Sequence, residues 1–189
     1  MVSDKKVIVI SSVSGGGKTT VIRRLLANHN RLISATTATS RQPRQGETNG
    51  VDYHFFTKDE FRQKIDNHQF IEHAEVHGNL YGVPLSEIER AEQEKKILIL
   101  NIDVQGMQSL KIKFDHGLLS IFLLPPDQQT WEKRLRSRGT DSEETIQVRL
   151  EQGRKELELA NQFDYQVVNS DLDECVKKIE QILIMHGIN

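Results

Sequence analysis

An α/β fold, with a parallel sheet flanked by helices, is what this sequence predicts, and three observations predict it. Short β-rich apolar runs alternate with helical patterns over 189 residues. The first run leads through a glycine-rich loop into a helix, and three of the runs are apolar at nearly every position. Strands of a parallel sheet are covered on both faces, so they read as continuous apolar stretches rather than alternating ones. The length suits one domain, or one core carrying a small insertion, with enough chain to bury a substantial hydrophobic centre.

The first strand is Val7–Ser11. It runs into Ser12-Val13-Ser14-Gly15-Gly16-Gly17-Lys18-Thr19, and a helical pattern begins near Thr20. Successive glycines let backbone N–H groups turn inward around an anion. The loop delivers that anion to a helix N-terminus, where unpaired N–H groups and the positive end of the dipole meet it. Lys18 adds a mobile positive charge for the β- and γ-phosphates of a nucleotide, and Thr19 a hydroxyl for Mg²⁺. Ser12 stands where such loops begin with glycine, so a slightly different entry turn is expected.

Residues 34 to 95 break the alternation. A loop rich in Ser, Thr and Arg leads to Tyr53-His54-Phe55-Phe56, a short helix over Lys58–Asp66, the stretch Phe70–Val76 and a helix after Pro84. The pattern predicts a small α+β insertion mounted on the core. Within it, Arg41 and Arg44 lie three apart around Pro43, and two guanidinium forks so placed can converge on one phosphate group. The other reading is a pair of solvated surface arginines. His73 and His77 flank Glu75 in a strand-like stretch, without the helical order of a zinc motif, and read as structural or surface residues.

The core resumes with strands at Ile97–Ile102 and Leu118–Leu124. Asp127, after Pro125-Pro126, is placed to cap a helix running through Trp131 and Leu135. Arg138-Gly139-Thr140-Asp141 interrupts two helical stretches, and the segment from Arg138 to Arg149 is a second candidate mobile piece. A last strand, Tyr165–Val168, precedes a terminal helix whose stripe is Leu172, Cys175, Val176, Ile179, Ile182 and Leu183. Cys175 lies on that stripe and reads as packing.

A net charge of −2 leaves no basic excess to displace counterions, which argues against a general nucleic-acid binder. Positive charge is local instead, at Arg41 and Arg44 and at Arg134, Arg136 and Arg138, as suits the phosphates of a small ligand. A single cysteine excludes a disulfide framework and implies a reducing compartment. No stretch approaches a membrane span and no signal peptide precedes the first strand, so a cytoplasmic enzyme is expected.

Several segments, in one order, carry a resemblance. They are Ser14-Gly15-Gly16-Gly17-Lys18, Ser40 to Glu47, Asn49 to Phe55, Phe70-Ile71-Glu72, Glu75 to Gly82, Ile102 to Gly106, Phe122 to Pro126 and Arg138 to Asp141. Together they resemble the guanylate kinase family, enzymes that transfer phosphate from ATP to GMP, nearly end to end. The resemblance implies a P-loop NTPase core over 1–36 and 96–189, a GMP-binding insertion over 37–95 and a helical lid at about 138–150. It implies that Ser14, Gly15, Gly16, Gly17, Lys18, Thr19 and Thr20 cradle ATP, with Mg²⁺ on Thr19 and the adenine against Asn169. Arg41, Arg44, Tyr53 and Tyr81 would hold the GMP phosphate, and Glu72, Asp103 and Thr37 would face guanine. Lys18, Arg41, Arg138 and Arg149 would carry the transfer as its catalytic cations.

The base assignment has its own chemistry. Guanine presents N1–H and a 2-amino group on one edge, and ionised carboxylates only accept. On residue type alone, Glu72 reads as an edge-strand surface charge and Asp103 as a helix cap at a strand end. The chain departs from the family at Val83, where Ser or Thr usually donates towards the base, and at Asn101, where an acid usually ends the strand. Val13 replaces a common proline. Two other readings stand beside the kinase: a non-catalytic guanylate-kinase-like binding module, and a P-loop kinase for another small phosphate. Small-molecule substrates (GMP or dGMP, with ATP) are the expected partners, in a monomer or homo-oligomer.

Overall fold

The computed structural model describes residues 7–76, 78–114, 117–137, 139 and 141–188. Arg138, Thr140 and His77 lie outside the described residues. Two sheets organise the chain. The larger is built from β1 (Val7–Ser12), β2 (Leu32–Ser34), β7 (Ile97–Asn101), β8 (Leu118–Leu124) and β9 (Tyr165–Val168), in the order β2-β7-β1-β8-β9. Every pairing in it is parallel. The smaller sheet has four strands in the order β4-β3-β6-β5: β3 (Ala38–Thr39), β4 (His54–Phe55), β5 (Phe70–Val76) and β6 (Asn79–Pro84). There β3 pairs β4 in parallel, and β6 pairs both β3 and β5 antiparallel.

The continuous apolar runs have the reason the sequence suggested. Along β1, Val7 and Val9 face one hydrophobic cluster while Ile8 and Ile10 face the other, all of them buried. The second cluster is closed by α1 (Lys18–Asn28), through Val21, Ile22 and Leu25, and by α7 (Leu172–Met185), through Cys175, Val176, Ile179, Ile182 and Leu183. The first is closed by α3 (Leu85–Gln93), α4 (Val104–Phe114), α5 (Gln128–Arg136) and α6 (Glu143–Glu158). Cys175 is fully buried, and burial pushes its thiol up to about 11, so it is packing and not chemistry.

Local signals end the helices where the sequence indicates. The Asp127 carboxylate accepts from Thr130 N–H at 2.7 Å and caps α5. In the small sheet's own layer, α2 (Lys58–Asp66) opens with a reciprocal capping box. Thr57 Oγ1 accepts from Glu60 N–H, and the Glu60 carboxylate accepts from Thr57 N–H. Phe61 of α2 stacks on Phe70 of β5 with ring centroids 4.5 Å apart, tying that helix to its sheet. No helix among the described residues is long and apolar enough to cross a membrane.

Candidate active site

The strands of the large sheet end at a cleft facing the small sheet, where open parallel sheets bind ligands. One cavity of about 400 Å³ is lined by Ser12 to Thr20 and Arg149 on the large-sheet side and by Thr37, Arg44, Tyr53, Glu72, Tyr81 and Asp103 across from them. Most sequence-predicted site residues therefore meet in one place. Arg41 and Asn169 stand just outside the lining, and Arg138 lies outside the described residues.

The loop between β1 and α1 has the backbone its glycines permit. Gly15 and Gly17 have φ of 85° and 92°, a left-handed conformation that side-chain-bearing residues adopt rarely. Gly17 is the N-cap of α1, and the first turn of that helix carries no acid to repel an incoming anion. The Lys18 ammonium donates to the Ser12 carbonyl at 3.4 Å. Ser12, which replaces the expected glycine, turns its hydroxyl onto the Val13 carbonyl at 3.1 Å and packs against Gly16. Asn169, buried at 6% exposure, donates from Nδ2 to the Gly16 carbonyl at 2.8 Å. Arg149, on α6, donates to Ser14 Oγ at 3.0 Å and pairs with Asp141 at 3.2 Å, which holds its guanidinium at the mouth of the loop.

Opposite, the Arg41 guanidinium forms a two-pronged pair with Glu47, at 2.9 and 3.0 Å. It also lies 5.5 Å from the Tyr53 ring centroid. The Glu47 carboxylate accepts from the Arg44 backbone N–H as well, at 2.7 Å. The hydrogen bonds from Arg41 hold its carboxyl below the usual range, against the effect of burial. Burial raises the Tyr53 hydroxyl, whose ring meets that of Tyr81 edge-on at 6.4 Å. The two arginines thus differ: Arg44 reaches the cleft, while the Arg41 fork is occupied by a carboxylate in the geometry a phosphate would use.

Glu72 is not the surface charge its residue type suggests. It lies on β5, the edge of the small sheet, yet is only 5% exposed because α4 packs over it. Its carboxyl is pushed up to about 7, by burial first, then by the like charge of Asp103, with Lys113 opposing. A Cβ added to Gly106 of α4 would stand 3.0 Å from the Glu72 carboxyl carbon, so glycine makes room for this acid. Asp103 lines the cleft and also accepts from Gly106 N–H at 2.8 Å, so it caps the start of α4 as well. Two acids aimed into a partly dry cleft suit a base edge made of donors.

Val83 is fully buried in the core, paired in register with Glu72, and its neighbour Gly82 lines the cleft instead. Asn101, at the end of β7, lines the cleft too. Sequence reasoning gave no role to Glu47, Asp141 or Glu156. Glu156 lines the cavity with its carboxyl raised by burial, offset by Lys18 and reinforced by Asp103. Glu47 and Asp141 could have been flagged as acids near arginines, but their pairings depend on turns that spacing alone does not define.

Comparison with known proteins is consistent along the whole chain. The model of the guanylate kinase family matches residues 4–186. A guanylate kinase of Clostridium perfringens is 43% identical over 178 residues, covering 94% of this chain and 82% of the relative. One of Prochlorococcus marinus subsp. pastoris is 42% identical over 179 residues, covering 95% of this chain and 97% of the relative. The crystal structure of guanylate kinase from Anaplasma phagocytophilum superposes with a TM-score of 0.78 at 32% identity, over 98% of this chain and 87% of that one.

Proposed function

This chain belongs to the guanylate kinase family, and from that premise we propose that it transfers the γ-phosphoryl group of ATP to GMP, giving ADP and GDP. The observation that carries the reading is the single cleft in which a phosphate loop with Lys18 and Arg149 faces Arg44, Tyr53, Tyr81, Glu72 and Asp103. The triphosphate lies in the loop, against the N–H groups of residues 15–20 and Lys18. The GMP phosphate sits among Arg44, Tyr53, Tyr81 and Arg41, where it displaces Glu47 from the Arg41 fork. Guanine N1–H and the 2-amino group donate to Glu72 and Asp103, with Thr37 nearby. Adenine has no such donors, and sites built on paired hydrogen bonds reject analogues by about 10⁴-fold or more. Asn169 is assigned to the adenine end of the donor, and its Nδ2 already holds the Gly16 carbonyl of the loop.

An oxygen of the GMP phosphate attacks the γ-phosphorus. One P–O bond forms as the bond to the β-phosphate bridging oxygen breaks, and ADP leaves with that electron pair. The acceptor is already largely ionised at neutral pH, since a monoester's second pKa is about 6, so no general base is required. Lys18, Arg41, Arg138 and Arg149 neutralise charge on the moving group. Thr19, in the first turn of α1, lines the cleft, and its hydroxyl would hold Mg²⁺ together with phosphate oxygens of the nucleotide. When bound, the ion supplies charge neutralisation on the triphosphate. Residues 37–95 act as the GMP-binding part and about 138–150 as the lid. Their approach on binding both nucleotides keeps water from taking the phosphoryl group.

The non-catalytic binding module is not favoured, because the phosphate loop and its lysine are intact and the cleft beside them is open. The chain acts on small molecules in the cytoplasm. The test is ADP formation with GMP, dGMP, AMP, UMP and CMP as acceptors. Turnover confined to the two guanine nucleotides is the expected result, and equal turnover with AMP would overturn the base assignment. We also expect Lys18→Ala, Arg41→Ala and Arg138→Ala each to lower kcat by about a hundredfold or more while the fold survives.

A further inference from the structure

The phosphate loop is held from behind by one face of α5. Trp131, Arg134 and Leu135 stand at i, i+3 and i+4, so they share that face. The Trp131 indole N–H donates to the Ser14 carbonyl at 2.7 Å. Leu135 packs on Gly15, where a Cβ would come within 3.0 Å of its Cγ. Arg134 donates to the Asn169 carbonyl at 3.0 Å, and Asn169 in turn holds the Gly16 carbonyl. Two alternate carbonyls of the loop are thus drawn outward by side-chain donors.

A peptide unit is planar and, here, trans throughout the described residues, so its C=O and N–H point in opposite directions. Fixing the Ser14 carbonyl outward therefore aims the Gly15 N–H inward, and fixing the Gly16 carbonyl does the same for the Gly17 N–H. We propose that Trp131 is a positioning residue for the phosphoryl donor: its indole N–H anchors the Ser14 peptide and so sets the Gly15 N–H towards the nucleotide phosphates. Without that donor the Ser14 peptide is free to rotate at a loop whose neighbouring residue is a glycine, and the inward aim is lost.

Trp131 reaches the site from a second direction. A Cβ on Gly153 of α6 would overlap the indole, so α6 lies directly on the ring. One turn earlier, α6 carries Arg149, which donates to Ser14 Oγ. The same residue of the loop is therefore held at its carbonyl by α5 and at its hydroxyl by α6, and the indole spaces the two helices.

The inference rests on the proposed ATP site, and the experiment separates the two. Trp131→Phe removes the donor together with part of the ring that spaces α5 and α6, so a thermal melt run beside the titration registers the lost packing separately. Calorimetric titration with ATP and Mg²⁺ is expected to show Kd raised about fivefold to tenfold, the loss of one hydrogen bond to a half-buried acceptor, with KM for GMP unchanged. The unaltered protein supplies a second readout, because Trp131 is the one tryptophan of the chain. Its emission is expected to change on saturation with ATP and not with GMP alone, whether or not the variant folds. A variant that binds ATP within twofold of the unaltered protein, or an emission blind to ATP, overturns the inference. If the unaltered protein makes ADP from ATP and GMP while either of these results is found, the kinase reading stands and only Trp131's role falls.

Discussion

Glu72 carries a pH-dependent stability cost at the position proposed for base recognition. Its carboxyl titrates near 7 in the folded protein, against 4.5 for the ordinary group. Between those values the folded state binds more protons than the unfolded one, so stability falls as pH rises through that window, by on the order of 3 kcal/mol. Glu72→Gln removes the ionisation. Thermal melts of the variant are expected to lose less between pH 5 and pH 8 than those of the unaltered protein. The proposed guanine contact has the opposite demand, because its donors need the ionised acid. KM for GMP is accordingly expected to improve from pH 6 to pH 8 in the unaltered protein, and to be about tenfold or more higher in the variant at pH 8, measured by steady-state kinetics. A flat KM across that range would remove Glu72 from the base contact. The residue was legible as a site candidate only through its motif. Its burial was not, since nothing local to Phe70-Ile71-Glu72 says that α4 will cover an edge strand.

Elements divide cleanly into those written locally and those imposed by neighbours. The helix at Lys58–Asp66 and the strand at Phe70–Val76 fall where the sequence pattern places them, and a capping box opens the helix. The strands Ala38–Thr39 and His54–Phe55 are two residues each and Leu32–Ser34 three, too short for periodicity to register; each exists because a neighbouring strand offers it a ladder. The locally written kind is the easier to break. Thr57→Ala removes one half of the α2 capping box and is expected to cost about 1 kcal/mol, read as a lowered denaturation midpoint with kcat little changed. Gly106→Ala tests the contact between α4 and β5. The added methyl meets the Glu72 carboxyl, so KM for GMP is expected to rise several-fold while KM for ATP holds, and equal effects on both would point to general damage instead.

At the scale of the molecule, one cleft lies between two sheets of different construction, one all parallel and one mostly antiparallel. Four of the five strands of the large sheet were legible, three of them as apolar runs, the first leading into a phosphate loop. The small one was legible as an α+β interruption containing Phe70–Val76, and its pairing was not, because that links residues as far apart as Ala38 and Gly82. If the two sides approach around their ligands, small-angle X-ray scattering should show a smaller radius of gyration with GMP and a non-hydrolysable ATP analogue together than with either alone. No contraction with the pair would argue that the cleft is already in its working shape. Cys175 makes that motion measurable by another route. A sulfur sealed beneath a terminal helix, reluctant to ionise, stays silent towards maleimide dyes under native conditions. Probes attached to cysteines introduced at exposed Val51 and Val148 would then report domain movement by energy transfer, with the natural thiol left in place.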